Sequence, residues 1–547
     1  MKLRILFCCI VMCSLAPVAG QGQSRSASST SASDIPHLQK QGTATQLIVD
    51  GKPFMALAGE LLNNSATNLD YLQPIWPKLV AAKLNSVLVG VSWAQLEPQE
   101  GKFDFTFLDA VVQGARSHNL RVVLLWFGSW KNGYSSYPPD WLKRDFERFP
   151  RAQFARGRSV ELLSPFSDAN RDADARAFAA MMRHLKEVDG REHTVVMIQV
   201  ENEIGLPGEY RDRSPLASKA YNAPVPKDLM DYLQQHKDAL IPELRQVWEA
   251  AGFKTSGTWT EVFGQGPATD EIFMAWHFAR YVGRVAEAGK AEYPIPMYMN
   301  TWFWGFGKVA GTRQSGSPMP DVWDVWRAGA PGIDIFSPDC STRFAEFAAK
   351  YNQSGNPLFI PETRAGVAGA ARALYAFGHH DAIGISPFGI DTTVGKDPDY
   401  LHIYDLLSGL APLILEHQGK GTMSAVLLDP DDPPQKVQVG NYTLTGARLV
   451  PRAMPGAPPP PQTEPSGAIF IATGPDEYFA AGRGVTVTFS PNTPGPPLAG
   501  LATVEEGDFV NGCWVPLRRL AGDDDGQGQH LDLRDMGVQH FTLYRYR

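Results

Sequence analysis

Two apolar runs in this sequence stop abruptly at carboxylates. Residues 194–203 read Thr-Val-Val-Met-Ile-Gln-Val-Glu-Asn-Glu, and residues 357–364 read Pro-Leu-Phe-Ile-Pro-Glu-Thr-Arg. A carboxylate at the end of an apolar strand is costly to desolvate unless it has a partner or a use. Two carboxyls facing one small volume, here Glu203 and Glu362, are the equipment of glycoside hydrolysis. One, kept protonated, gives its proton to the leaving oxygen; the other, ionised, attacks the anomeric carbon. Each anion opposes ionisation of its neighbour, so the pair holds one proton near neutrality. Salt bridges at a barrel rim are the alternative use, since Arg364 lies two residues from Glu362. An Asn-Glu pair by itself carries nothing, because about one is expected by chance at this length. Its place at the end of one strand, with a lone Glu ending another, is what restricts the reading.

The elements that must bring these residues together follow from the hydrophobic pattern. Short apolar segments over 54–60, 86–91, 121–126, 195–201, 296–300, 333–337, 358–362 and 382–388 alternate with amphipathic helical stretches. Eight strand–helix units predict an α/β chain with a (β/α)8 TIM barrel over 46–419, whose catalytic groups lie at the C-terminal strand ends. The fourth and seventh strands then face each other across the mouth. An open doubly wound sheet usually carries a Gly-rich phosphate turn after its first strand. Here that strand runs into Ala58-Gly59-Glu60-Leu61, and no Gly-Lys pair is followed by Ser or Thr. Gln46 to Val49 and the strand from Phe54 read as a hairpin around Asp50-Gly51. Thr106-x-x-Asp109 is read as the cap of a helix burying Leu108, Val111, Val112 and Ala115, and residues 70–83 as a helix despite Pro77. The long stretch 205–294, with helices expected over 227–251 and 270–289, shapes the rim. After about 420 the texture turns to β-rich runs at 423–428, 436–444, 468–473, 484–489, 509–517 and 539–544, with a Pro-rich loop at 455–461. These predict a C-terminal β-sandwich domain over 420–547, about 130 residues.

Lys2 and Arg4, an apolar run from Ile5 to Leu15, and small residues at Val18-Ala19-Gly20 have the order of a secretory signal, too short to span a bilayer. Cleavage near Gly20 is expected, giving a periplasmic or secreted protein, with 21–45 as a flexible leader. Cys8, Cys9 and Cys13 leave with the signal, so only Cys340 and Cys513 remain, as a bridge or as two thiols. Apolar residues make up 44% and charged ones 20%, which excludes a mainly disordered chain. Lys and Arg total 50 against 58 Asp and Glu, a net charge of −8 with no basic stripe, so no nucleic-acid partner is expected. No later segment reads as a membrane span. The 12 His and the Cys show no metal-ligand spacing, and Asp523–Asp525 reads as a solvated turn, so neither metal nor cofactor is expected.

Four words together resemble glycoside hydrolase family 35, the β-galactosidases, over about 46–415. They are Gln199-Val-Glu-Asn-Glu-Ile-Gly205, Trp93-x-x-x-Glu97-Pro98-x-x-Gly101-x-Phe103-Asp104-Phe105, Pro338-Asp339 and Ile385-Ser-Pro-Phe-Gly389. The resemblance implies Glu203 as general acid/base, Glu362 as nucleophile, and Asn202 as hydrogen-bond partner of the sugar 2-hydroxyl. It implies a retaining exo-β-galactosidase acting on a galactoside oligosaccharide, with xyloglucan side chains suggested by likeness to bacterial members carrying an extra β domain. Two words depart from the family. Ser129, in Phe127-Gly128-Ser129-Trp130, stands where the family's Ala-Glu-Trp has the Glu that grips galactose. Gly59-Glu60-Leu61-Leu62-Asn63 replaces Ser-Ile-His-Tyr, and Glu60 is expected to take over the lost carboxylate's task. Trp130, Tyr298 and Trp302 are the aromatic candidates for the sugar site, with Tyr298 facing the nucleophile, and Trp93, Trp126 and Trp304 stand behind them. Another β-glycoside on the same scaffold, or a non-catalytic carbohydrate-binding barrel, remain alternatives, and a homodimer is left open.

Overall fold

In the long strand β6 (Arg121–Lys131) successive side chains face opposite ways, and that alternation sorts the core into two layers. Val123, Leu125 and Phe127 pack in one cluster with Ala56, Ala58, Leu88, Tyr298, Ile335, Phe359 and Ile383. Val122, Leu124 and Trp126 pack in another, with Val111, Phe178 and Met182 from helices. The first cluster is the lumen of a barrel and the second the layer between its wall and an outer ring of helices. The chain is seen in a computed structural model that describes residues 35–302, 313–396, 398–450, 463–510 and 512–547. The expected signal, most of the leader, Trp304 and the 455–461 loop lie outside the described residues.

The wall consists of β4 (Ala56–Leu57), β5 (Ser86–Ser92), β6, β9 (Val195–Asn202), β10 (Met297–Trp302), β11 (Ile335–Asp339), β12 (Phe359–Thr363) and β13 (Gly384–Pro387). Their order is β4-β13-β12-β11-β10-β9-β6-β5, and the defined pairs are parallel. A parallel bridge between Glu60 and Leu88 closes the ring, with Leu61 N–H donating to Leu88 O at 3.0 Å. All eight expected strands are present, so the (β/α)8 barrel is the fold. Between β6 and β9 a short pair, β7 (Arg151–Gln153) and β8 (Ser159–Leu163), decorates the rim.

Several local expectations are corrected. The leader expected over 21–45 ends early, because β1 (His37–Gln41) pairs with β2 (Ala44–Val49), which continues into β3 (Lys52–Phe54). Leu47 and Val49 of this sheet join the lumen cluster, which seals the barrel floor and explains why the segment is ordered. Helix α1 (Trp76–Ala81) starts at Pro77's turn, where a missing N–H costs nothing. Helix α2 (Thr106–Ser117) buries the four expected residues, but Thr106 is its first residue and the carboxylate of Asp104 accepts the Thr106 N–H at 2.9 Å. Long helices α3 (Asp168–Asp189) and α6 (Pro267–Glu292) pack in the outer ring. The helix expected over 227–251 is two, α4 (Lys227–Gln235) and α5 (Pro242–Ala250), split before Pro242.

The C-terminal domain is a sandwich. One sheet runs β14 (Met423–Leu428), β17 (Ser466–Ala472), β18 (Glu477–Arg483), β23 (Gly537–Tyr546), β20 (Leu498–Val510) and β21 (Cys513–Leu520). The other runs β15 (Gln435–Val439), β16 (Tyr442–Arg448), β19 (Val485–Pro491) and β22 (Leu531–Leu533). Val426, Leu444, Phe470, Tyr478, Val487 and Phe541 fill the space between them. The outer face of the larger sheet, through Ala425, Leu427, Ile469 and Ile471, continues the barrel's own helical core. The contact is tight: a Cβ on Gly378, in helix α7 (Gly366–His380), would meet the Ile469 side chain at 2.6 Å. Helix α8 (Pro398–His417) links the two units. Cys340 is buried and Cys513 exposed, both as free thiols, so they form no bridge. Among the described residues no helix is long and apolar enough to cross a membrane.

Candidate active site

The C-terminal end of β9 breaks the strand's alternation. Glu201 and Glu203 both take left-handed backbone (φ 63° and 45°), a conformation costing a non-glycine residue of order 1–3 kcal/mol. The kink turns Glu201 out of the lumen. Its carboxyl accepts the N–H groups of Ser129 (3.0 Å) and Trp130 (2.7 Å) and shares a proton with Asp174 of α3. Asn202 and Glu203 turn instead to the barrel mouth. Glu203 N–H donates to Asn300 Oδ1 at 2.9 Å, and Asn132 Nδ2 donates to Glu203 Oε2 at 2.5 Å.

Asn132 is delivered by a tight turn at the end of β6. Lys131 and Tyr134 exchange both backbone hydrogen bonds (2.8 and 3.0 Å), and Asn132 and Gly133 sit between them at φ 55° and 72°. Two left-handed central residues make a type I′ turn, for which Asn-Gly is the preferred pair. Glycine is required at 133, since a Cβ there would lie 2.8 Å from the Gly205 carbonyl. The same turn aims Lys131 inward, where its Nζ donates to Asn202 Oδ1 at 2.8 Å and lies over the Phe127 ring.

Across the mouth, Glu362 near the end of β12 stands in register with Asp339 at the end of β11. Asn300 Nδ2 donates to Asp339 Oδ2 at 2.7 Å, so Asn300 ties Asp339 to the backbone of Glu203. One oxygen each of Glu203, Asp339 and Glu362 lies within 4.8 Å of the other two. Glu60, where the first strand meets Leu88, is buried with both carboxyl oxygens unpartnered. The three converging carboxylates have the spacing of a ligand set, but the Lys131 ammonium stands among them and supplies positive charge from the chain itself.

Four buried carboxyls around one ammonium cannot all ionise. Burial and then the Glu362 charge raise Glu203 to about 7, opposed by Lys131 and by a hydrogen bond with Asp339. Burial followed by Glu362 and Glu203 pushes Asp339 far above the carboxylate range, so Asp339 keeps the proton it shares with Glu203. Burial and the Glu362 charge likewise hold Glu60 protonated. Burial raises Glu362, while Lys131 and the Asn202 amide oppose that rise and favour its anion. The Tyr298 hydroxyl is buried without a partner and keeps its proton, through burial and then the charges of Glu60, Asp339 and Glu362.

The sequence-predicted Glu203, Glu362, Asn202, Glu60 and Tyr298 therefore meet at one mouth. Trp302 ends β10 opposite Asp339 and is partly exposed at the rim. Trp130 does not belong there. It is wholly buried, its indole N–H donates to Leu163 O at 3.0 Å, and its ring packs on Phe278 and Tyr281. The reason is that β6 runs five residues beyond its expected end with an irregularity between Trp126 and Lys131, so that both Ser129 and Trp130 face the helical layer. Trp93 and Trp126 are buried core as well. Ser129 also lies behind the wall, bonded to Asp174 (2.5 Å) and the Tyr281 hydroxyl (2.6 Å), away from the mouth. Lys131, Asn132, Asn300 and Asp339 escaped the sequence reading as site residues. Their signals were an Asn-Gly turn after the third strand and polar residues ending the fifth and sixth.

Comparisons with known proteins agree with this geometry in part. Residues 70–264 match the glycoside hydrolase 42 family model, described as "Beta-galactosidase", and residues 400–532 match a "Domain of unknown function (DUF5597)". A "Beta-galactosidase" of Xanthomonas manihotis is 30% identical over 169 residues, covering 29% of this chain and 25% of the relative. The match thus spans about a quarter of that relative's length. Among solved structures, the β-galactosidase of Bacillus circulans sp. alkalophilus is similar at 15% identity and TM-score 0.45, over 66% of this chain and 57% of that one. The β-galactosidase of Rahnella sp. R3 is similar at 18% identity and TM-score 0.45, over the same shares. The family model that matches part of the barrel is therefore that of glycoside hydrolase family 42, and the family 35 of the motif resemblance is not confirmed.

Proposed function

We propose that this chain is a retaining exo-β-galactosidase. The observation that carries the reading is the Glu203–Glu362 pair at the barrel mouth, with an oxygen of each within 4.8 Å of the other. Retaining pairs stand about 5–5.5 Å apart, inverting pairs about 6.5–9.5 Å. Glu362 attacks the anomeric carbon as Glu203 gives its proton to the departing oxygen, leaving a glycosyl ester on Glu362. Esterification removes the charge that raises Glu203, whose pKa falls, so Glu203 now takes a proton from water as that water attacks the same carbon. The sugar leaves with retained configuration and both glutamates regain their starting states. Asn202 Nδ2, which faces Glu362 without a well-formed hydrogen bond, suits the 2-hydroxyl, and Glu60 and Tyr298 offer donors to other hydroxyls.

The N-terminal pattern supports export to the periplasm or beyond, where galactosyl side chains of xyloglucan oligosaccharides are a fitting substrate. A 2-deoxy-2-fluoro-β-galactoside with a good leaving group tests the assignment. It should trap a covalent adduct whose labelled peptide carries Glu362, and a label on any other residue refutes the roles. A panel of aryl β-galactoside, β-glucoside and β-mannoside tests the sugar, and preference for either of the latter two overturns the galactose reading.

A further inference from the structure

Lys131 is buried among Glu60 at the first strand end, Glu203 on β9, Asp339 on β11 and Glu362 on β12, with the Tyr137 phenol beyond the turn. Tyr298 on β10 faces the same carboxyls. An ammonium has three donors and no acceptor. Because Lys131 Nζ donates to Asn202 Oδ1 at 2.8 Å, the Asn202 amide has one allowed orientation, with Nδ2 on the far side toward Glu362. That Nδ2 interacts with the Glu362 carboxylate without forming a geometrically good hydrogen bond, so it can also serve a ligand hydroxyl. The type I′ turn at Asn132-Gly133 fixes the backbone from which Lys131 reaches in, and the Phe127 ring supports its head at 5.2 Å.

We infer that Lys131 is a positioning residue with two linked tasks: it locks the flip of Asn202 toward the 2-hydroxyl and Glu362, and it is the through-space counterion that selects Glu362 as nucleophile. The inference rests on the proposed double displacement. Without the ammonium, four carboxyls would compete for protons with nothing to favour the anion at Glu362, and the amide could turn its oxygen toward the carboxylate it should stabilise.

The test compares Lys131→Met, which loses donor and charge, with Lys131→Gln, which keeps a donor for Asn202 but no charge, and Lys131→Arg, which keeps charge. The acid limb of kcat/KM reports protonation of the nucleophile in the free enzyme. Loss of the positive charge favours the protonated acid, so this limb moves to higher pH by a unit or more in both Lys131→Met and Lys131→Gln, and stays near its place in Lys131→Arg. Trapping by the fluorosugar at about pH 6 slows at least tenfold in Lys131→Met, with the label still on Glu362. Lys131→Gln, holding Asn202, loses less kcat than Lys131→Met. An acid limb unmoved in the folded variants overturns the inference, and if Lys131→Met does not fold, Lys131→Gln decides alone. Labelling of the wild-type enzyme separates the two levels: a wild-type label away from Glu362 sinks the proposed mechanism, whereas a wild-type label on Glu362 with an unmoved limb in the variants sinks only the role of Lys131.

Discussion

The charge on Glu362 should set the acidity of Glu203, and replacing Glu362 by Gln exposes that dependence. Gln keeps the shape and removes the charge, as the glycosyl ester does. With oxygens within 4.8 Å and an effective dielectric of about 20, two unit charges interact by about 3.5 kcal/mol, or roughly 2.5 pK units. Water entering the mouth weakens this, so a fall of roughly two units is expected, from about 7 in the wild type. Burial is the largest cause of the raised value and persists in the variant, so Glu203 should remain above its ordinary value of 4.5. The assay is carbon NMR of protein labelled at the glutamate carboxyl carbons. Difference spectra against Glu203→Gln, in wild-type and Glu362→Gln backgrounds, isolate the one resonance and are titrated across the neutral range. A midpoint in Glu362→Gln within half a unit of the wild type, or above it, refutes the coupling and with it the switch of Glu203 from acid to base.

Three further outcomes follow from the same geometry. Asn132→Ala removes the 2.5 Å hydrogen bond to Glu203; a bond to a charged group contributes about 1.5–3 kcal/mol, so the ionised form loses support and the alkaline limb of kcat/KM should move up by about one unit, a downward move contradicting the placement. Glu203 is raised in the native state from 4.5 to about 7, so the folded chain holds a proton that the unfolded chain has released, and stability falls as pH rises through that window. Glu203→Gln should therefore gain about 3 kcal/mol near pH 8 and nothing near pH 4; equal melting temperatures at the higher pH would argue against a buried acid there. Trp130→Ala should cost about 3–5 kcal/mol of stability as a core truncation, and an unchanged denaturation midpoint with weakened sugar binding would return Trp130 to the site.

Local pattern was enough for the barrel strands, because each is a short apolar run bounded by turns, and the carboxylates at the ends of β9 and β12 stand out against those runs. Strand β18 was hidden, because Glu477 to Arg483 is rich in Ala and Gly and becomes a strand only between β17 and β23. The run 436–444 likewise holds two strands, since Gly440 at φ 55° turns the chain back.

Which side a residue faces is a different kind of information, because it accumulates along a strand and one kink reverses it. The left-handed backbone at Glu201 sends that carboxyl outward to Asp174 and frees Asn202 and Glu203 for the mouth. The extra length of β6 buries Trp130 and carries Lys131 inside. Sequence alone therefore determined the barrel, the appended sandwich and the two glutamates, through periodicity and strand-end chemistry. Only the tertiary structure decided that a turn lysine stands among four carboxyls and that Asp339 shares a proton with Glu203, because electrostatics depends on distances across the barrel between residues far apart in the chain.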